Sequence, residues 1–237
     1  MLLAAFALPV FACAQSTDDR DVSWKLLLPN LLHDQARIWT LPVRLAEGQD
    51  WVNTAAFLGG GAAFAAWDPA EARWFRDSTS FHGFNRVFSS NATAIGTVAA
   101  PVALYLAGLA TKDVKAQRTA LLAGEAVANA EILSEALKTV TKRARPASFP
   151  AGSKLSDSWF EGSRTGGSFP SGHTIAAFSL ATIIARRYGN HRWVPWVSYG
   201  AAAAVGLSRL SLSAHYASDV FAGAFLGYAV SRYAVLR

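Results

Sequence analysis

A chain of 237 residues is long enough to bury a full core in a single domain. Only 16% of its residues are charged against 52% hydrophobic, where soluble domains carry about 25% charge. Its net charge of +6 sits in short loops and around a few polar clusters, with no basic stripe and no aromatic-basic alternation, so a nucleic-acid partner is excluded. Cys13 is the only cysteine, which excludes an intrachain disulfide.

Leu2 to Phe11 is a short apolar run, and Ala12-Cys13-Ala14 before Gln15 resembles a small-residue cleavage site. Residues 1–14 are therefore expected to be a signal peptide or N-terminal anchor, although Leu2 follows Met1 with no basic stretch between. A lipid anchor on Cys13 is a second reading that the bulk of Phe11 disfavours. Residues 15–51 carry Trp24, Trp39 and Trp51, and Pro29 and Pro42 interrupt them. Their charges recur too often for a spanning helix. They predict either short amphipathic pieces at a membrane surface or an arm packed on the remaining domain.

Residues 52–237 predict an all-α domain, a helical bundle of five to six core helices, membrane-embedded, with its active site at one end. Six segments carry it: 52–67 with its Gly59-Gly60-Gly61 run, the uncharged 92–110, then 119–137, 174–185, 194–207 and 219–236. The second approaches the roughly 20 residues needed to cross a bilayer. The third holds Glu125, Glu131 and Glu135, which must be buried with partners or paired if it spans. No strand alternation and no internal repeat is evident.

The polar clusters fall at helix ends. Lys138 lies at the end of the third segment, His173 at the start of the fourth, Arg209 just past the fifth, and His215 to Asp219 at the start of the sixth. In an up-and-down bundle these four ends share one face. The opposite connections, 111–118 and 186–193, carry Lys112, Lys115, Arg118, Arg186, Arg187 and Arg192. The positive-inside rule puts those loops in the cytoplasm and the clusters outside. With a cleaved leader, that orientation needs five crossings rather than six, the Gly-rich segment then not spanning; an uncleaved N-terminus held in the cytoplasm also restores it. The short fourth and fifth segments and a mean hydropathy of only +0.21 keep a soluble periplasmic helical domain as the alternative.

His215 and Asp219 are four residues apart, one helical turn. Asp219 can accept from Nδ1–H of His215, leaving Nε2 unprotonated for nucleophilic attack; an isolated pair of this kind is more often a structural cap. His173 follows Ser171-Gly172 at a helix start, where backbone N–H groups favour an anion and glycine permits close approach. Ser171 can donate to a phosphate oxygen or simply cap the helix. His173 is the candidate general acid, protonating the leaving alkoxide and then activating water. Lys138, Arg145 and Arg209 can hold the non-bridging phosphate oxygens, and Arg145 before Pro146 is biased out of helical geometry and can turn over the site. Taken singly, each cation would read as a solvated helix end. Lys142, Arg143, Lys154 and Arg164 are expected only to add positive potential. His33, His82 and His191 are expected to be structural.

The patterns K-x6-RP at 138–146, PSGH at 170–173 and SR-x5-H-x3-D at 208–219 resemble the three signature motifs of the type 2 phosphatidic acid phosphatase superfamily. That superfamily contains lipid phosphatases, bacterial nonspecific acid phosphatases and vanadium haloperoxidases. No motif position departs from the pattern, and residues before about 90 carry none of it. The resemblance implies a helical bundle and a phosphohistidine intermediate on His215 oriented by Asp219, with His173 as acid and base. It also implies Lys138, Arg145, Ser171, Gly172 and Arg209 as phosphate ligands, with no metal and no other cofactor. The expected substrate is a phosphorylated lipid, of phosphatidate or prenyl diphosphate type, with a small phosphate ester as the alternative for a soluble periplasmic enzyme. A haloperoxidase is disfavoured by the short apolar chain, and a non-catalytic phosphate-binding membrane protein by the full set of reactive side chains. Either leading reading places the protein in a bacterial-type cell envelope, at the inner membrane with a periplasm-facing site or in the periplasm.

Overall fold

The structure is a computed structural model that describes residues 20–78, 80–150, 155, 158–160 and 167–236. The expected leader at 1–14, with Cys13, and the side chains of Lys154 and Arg164 lie outside the described residues. Every regular element among those described is helical: α1 (Leu27–Trp39), α2 (Leu41–Ala46), α3 (Trp51–Asp77), α4 (His82–Val87), α5 (Ser90–Ala110), α6 (Val114–Thr141), α7 (Gly172–Arg187), α8 (Trp193–Ser211) and α9 (Ala217–Val230). A 3₁₀ turn covers Pro146–Ser148, and a π-helical turn, Ser231–Val235, follows α9.

The six predicted segments are all helical, with shifted ends. The first runs ten residues beyond its predicted limit of 67, through Pro69 to Asp77, and this extension brings Asp68 and Glu71 to the site. The third reaches from Val114 to Thr141, begun by Asp113, whose carboxylate accepts from Ala116 N–H (3.1 Å). Its last turn hands over to Lys142 in the left-handed conformation (φ 42°), which turns the chain back across the end of the bundle. The short α4 is not signalled in the sequence by any cap or periodicity.

Helix α7 lies at the centre, against α6, α8 and α9; α5 packs on α6, and α3 on α9. Small side chains allow the close spacing, as with the fully buried Ala123, Ala126 and Ala130 of α6. The α7–α9 crossing is tightest. A Cβ at Gly223 would lie 2.8 Å from the Ser171 carbonyl oxygen, and one at Gly227 would overlap that of Ile175. Both obstacles are backbone and cannot swing away. Gly227→Ala is accordingly expected to cost about 1–3 kcal/mol, read as a lowered unfolding temperature in detergent; unchanged stability would show that the crossing has slack.

Helix α1 is arranged inside out. Asp34, Asn30 and Gln35 face α6, where Asn30 Nδ2 donates to Glu125 (2.9 Å), Asn129 Nδ2 to Asp34 (2.9 Å) and Gln35 Nε2 to the Asn129 side chain (2.9 Å). Arg20 pairs with both Asp34 and Glu125. The outer face shows Leu28, Leu32 and Trp39. Between the two predicted states of the N-terminal segment, α1 is therefore packed on the domain while offering apolar side chains outward. Glu125 is buried with partners, Glu135 is paired with Lys138, and Glu131 lies near enough to Lys138 to feel its charge.

The same outward apolarity marks α5, the one helix among the described residues long and apolar enough by itself to cross a membrane. Ile95, Val98, Val102, Leu106 and Leu109 lie exposed at helical spacing. Trp67, Trp74, Trp193 and Trp196 are all more than half exposed. Exposed apolar and tryptophan side chains on several helices suit a bundle embedded in lipid. The two basic connections meet at one end, where Lys115 Nζ sits over the Tyr188 ring (4.7 Å) and Arg187 Nε donates to Thr119 Oγ1 (3.1 Å).

Candidate active site

At the other end the starts of α7 and α9 meet the ends of α6 and α8. Ser171 N–H donates to the Asp219 carbonyl oxygen (3.1 Å), which ties the PSGH turn to the helix that follows His215. The Phe169–Pro170 bond is cis. Ser171 does not cap α7 with its side chain. Instead its Oγ accepts from Thr174 Oγ1 (2.9 Å), so its own proton remains a donor. A Cβ at Gly172 would come within 3.2 Å of Lys138 Nζ and 3.5 Å of Glu131 Oε2, so the missing side chain is what admits the ammonium to the start of α7. Lys138 is held there by Glu135 at 2.7 Å.

His215 is almost fully buried in the loop between α8 and α9. Its Nδ1 lies 2.7 Å from the Ser168 carbonyl oxygen and 3.6 Å from Asp219 Oδ2. The hydrogen bond that sets the tautomer is therefore to a backbone carbonyl, with Nδ1–H donating. Asp219 acts at one remove, accepting Ser168 Oγ–H (2.5 Å) and Tyr216 N–H (2.9 Å) on the same oxygen. With Nδ1 committed, Nε2 carries the lone pair, and Arg145 Nη1 stands 3.5 Å from it. Burial pushes the imidazole below the ordinary histidine value; Asp219 opposes that shift and Arg145 adds to it.

His173 Nε2–H donates to the Ser90 carbonyl oxygen (3.0 Å); a carbonyl only accepts, so Nε2 carries the proton and Nδ1 is the bare nitrogen of the ring. Arg209, buried at the end of α8, spans the same segment, with Nη1 to Ser90 Oγ (3.0 Å) and Nη2 to the Phe88 carbonyl oxygen (2.7 Å). Arg209, His215 and Arg145 all lie close enough to act on the His173 ring. The eight residues singled out in the sequence thus gather at one end: Arg145, Arg209 and His215 are near enough to act on His173, Lys138 Nζ lies beside Gly172, next to Ser171, and Asp219 stands 3.6 Å from the His215 ring.

Arg143 departs from its expected role. It does not add diffuse potential; it is buried to 2% exposure. Nη1 donates to Asp219 Oδ1 (2.6 Å) and Ser218 Oγ (2.7 Å), Nη2 to Asp68 Oδ2 (2.6 Å), and Nε to Ser158 Oγ (3.1 Å). The rings of Trp159 and Tyr216 stack against it at 4.2 and 4.1 Å. Ser168, Ser158, Asp68 and Glu71 were likewise not singled out by sequence. The available signal was D-P-A-E at 68–71: two carboxylates one turn apart in an apolar helix need partners. Among the described residues, no three or more His, Cys, Asp or Glu side chains are placed to share a metal ion.

Fold and site together define a helical-bundle protein whose end brings two imidazoles, a hydroxyl and three cations close to one another. Residues 119–236 match the model of the PAP2 superfamily, and the chain belongs to that superfamily. It is similar to a lipid A 1-phosphatase of Porphyromonas gingivalis, 44% identical over 66 residues, covering 27% of this chain and 14% of that protein. It is also similar to the bacitracin transport permease protein BcrC of Bacillus licheniformis, 34% identical over 118 residues, covering 49% of this chain and 54% of the relative. The matches thus span about half or less of these curated relatives. Among solved structures, a transmembrane PAP2-type phosphatidylglycerolphosphate phosphatase from Bacillus subtilis aligns over 86% of this chain and 90% of its own, with a TM-score of 0.46 and 21% identity.

Proposed function

We propose that this protein is a membrane phosphatase that hydrolyses the phosphate monoester or diphosphate of a lipid through a phosphohistidine on His215. The observation that carries the reading is the ring of His215: Nδ1–H fixed on the Ser168 carbonyl oxygen at 2.7 Å, with Nε2 turned to the Arg145 guanidinium. A neutral imidazole with its lone pair aimed at a cationic anion cradle is an activated nucleophile for phosphorus. Nε2 attacks in line, and the phosphorus–oxygen bond to the alcohol breaks. Arg145, Arg209 and Lys138 stabilise the equatorial oxygens, with Ser171 and the first N–H groups of α7 as further donors. His173 acts from Nδ1, with Nε2–H staying on the Ser90 carbonyl oxygen. In the substrate complex, where the phosphate charge favours a protonated ring, Nδ1–H gives its proton to the leaving oxygen, and the bare Nδ1 then takes one from the water that cleaves the phosphorus–nitrogen bond.

Three features support a lipid over a small soluble ester. The apolar outer surfaces of α1 and α5 support a site at a bilayer boundary. A lipid phosphatase stands among the relatives. The two basic turns gathered at the far end favour a periplasm-facing site by the positive-inside rule. The soluble acid phosphatase reading draws on the signal-like start of the sequence, the mean hydropathy of +0.21 and the carboxylates of α6, and two of those carboxylates have partners within the protein.

The protein is expected to stay in the membrane pellet after a carbonate wash and, once solubilised, to release phosphate from phosphatidate or a prenyl diphosphate faster than from p-nitrophenyl phosphate. EDTA should leave turnover intact, because the cradle is built from fixed side-chain cations, and orthovanadate should inhibit. Activity lost in EDTA and restored by a divalent ion would overturn the metal-free route.

A further inference from the structure

The start of α9 is capped by side chains from a helix remote in sequence. Asp68 of α3 accepts Ser218 N–H at Oδ1 (2.9 Å) and Ser218 Oγ–H at Oδ2 (2.6 Å), while Glu71 Oε2 accepts Ala217 N–H (3.2 Å). Tyr216 N–H goes to Asp219 itself. The N–H groups of Tyr216, Ala217 and Ser218 therefore end on carboxyl oxygens of Asp219, Glu71 and Asp68 at the start of α9. Asp68 also shares Arg143 with Asp219: Nη2 goes to Asp68 and Nη1 to Asp219, each at 2.6 Å. Asp68 is 1% exposed and Asp219 fully buried. The resulting chain runs Asp68–Arg143–Asp219–Ser168–His215, and its first member lies outside the 119–236 match.

We propose that Asp68 is a positioning residue for the His215–Asp219 pair, acting through Arg143 and the first turn of α9; this rests on the phosphatase reading above. Two effects follow from the geometry. Asp68 fixes where the guanidinium sits, so only one of its nitrogens points at Asp219. Oδ2 of Asp219 is then left to Ser168 and Tyr216, which set the His215 loop. Asp68 also balances Arg143, so that two carboxylates flank one guanidinium and the region behind His215 stays net negative. That negative charge favours the imidazolium character that His215 acquires on phosphorylation. The other charged groups facing His215 are Arg145 from the 143–146 turn and His173 of α7, with Arg209 of α8 acting on His173; Glu71 faces Asp68 and Asp219 from α3.

The test uses full-length protein in detergent, with phosphate release from whichever of phosphatidate, farnesyl diphosphate or p-nitrophenyl phosphate the wild type turns over fastest. Asp68→Asn is expected to lower kcat by about tenfold or more with KM within about threefold. It should also move the acid limb of kcat/KM to lower pH, because losing a negative charge disfavours the charged ring. Asp68→Glu should recover part of kcat. A loss that only follows the folded fraction, with the limb unmoved, would reduce Asp68 to a structural residue and overturn the proposal. If Asp68→Asn does not fold, Ser218→Ala removes the hydroxyl that both Asp68 and Arg143 hold while keeping every charge. It should lower kcat without changing KM, and unchanged kcat would likewise overturn the proposal. His215→Asn separates the two levels: turnover retained there sinks the phosphatase mechanism itself, whatever Asp68 does.

Discussion

Replacing His215 with asparagine is expected to slow phosphate release by on the order of 10⁴-fold or more while leaving the protein folded. Asparagine is the informative substitution because its amide N–H can stand where Nδ1–H stands, keeping the bond to the Ser168 carbonyl oxygen. What it lacks is the Nε2 lone pair facing Arg145. Activity lost with an unchanged unfolding temperature assigns the loss to chemistry. Turnover within about tenfold of wild type would remove His215 as nucleophile and, with it, the covalent route.

The same ring predicts a pH signature. Attack requires the neutral form, and burial holds the His215 value below that of a free imidazole, with Arg145 acting in the same direction against Asp219. The working form therefore persists below the usual histidine value of about 6.5, so the acid limb of kcat/KM should fall below that pH. A limb well above it would mean that Asp219 outweighs burial and that the ring is largely charged at neutral pH.

The parts of this site readable in the sequence were those written in short spacings. His215 and Asp219 are one turn apart, and Ser171, Gly172 and His173 are contiguous at a helix start, so local geometry was enough to associate them. Lys138 and Arg209 fall at helix ends, and the alternation of an up-and-down bundle sends those ends to one side. The bond that orients His215 was misassigned for a physical reason. The i,i+4 spacing allows Asp219 to reach Nδ1, but the chain at Ser168 brings a carbonyl oxygen nearer, at 2.7 Å, and a backbone carbonyl carries no signature in the residue code. Arg143 and Asp68 illustrate a second limit. Asp68 binds a residue 150 positions away, and no periodicity reports a contact at that range. Pro69 compounded it, since a proline after a carboxylate reads as a helix end, whereas α3 continues through it and needs that last stretch to place both acids under α9.

Arg143→Met should be the most destabilising single change near the site, by about 3–5 kcal/mol. Methionine fills much of the same space between the Trp159 and Tyr216 rings, so little of the cost comes from a cavity. It comes from Asp68 and Asp219, both buried, losing the cation between them. Neither carboxylate can reach water, and their remaining donors are the Ser218 and Tyr216 N–H groups with the Ser168 and Ser218 hydroxyls. Arg143→Lys should recover only part of the loss, because one ammonium cannot hold Asp68, Asp219 and Ser158 in a planar fork. At this chain length the methionine variant should unfold roughly 10 °C lower. The decisive comparison is the double variant Arg143→Met with Asp68→Asn. If the cost lies in stranded charge, removing one of the two carboxylates returns stability, and the two changes couple by more than about 1 kcal/mol. Additive losses would instead place the cost in lost packing, and the buried guanidinium would then be a filler between two rings rather than the tie between α3 and the helix behind His215.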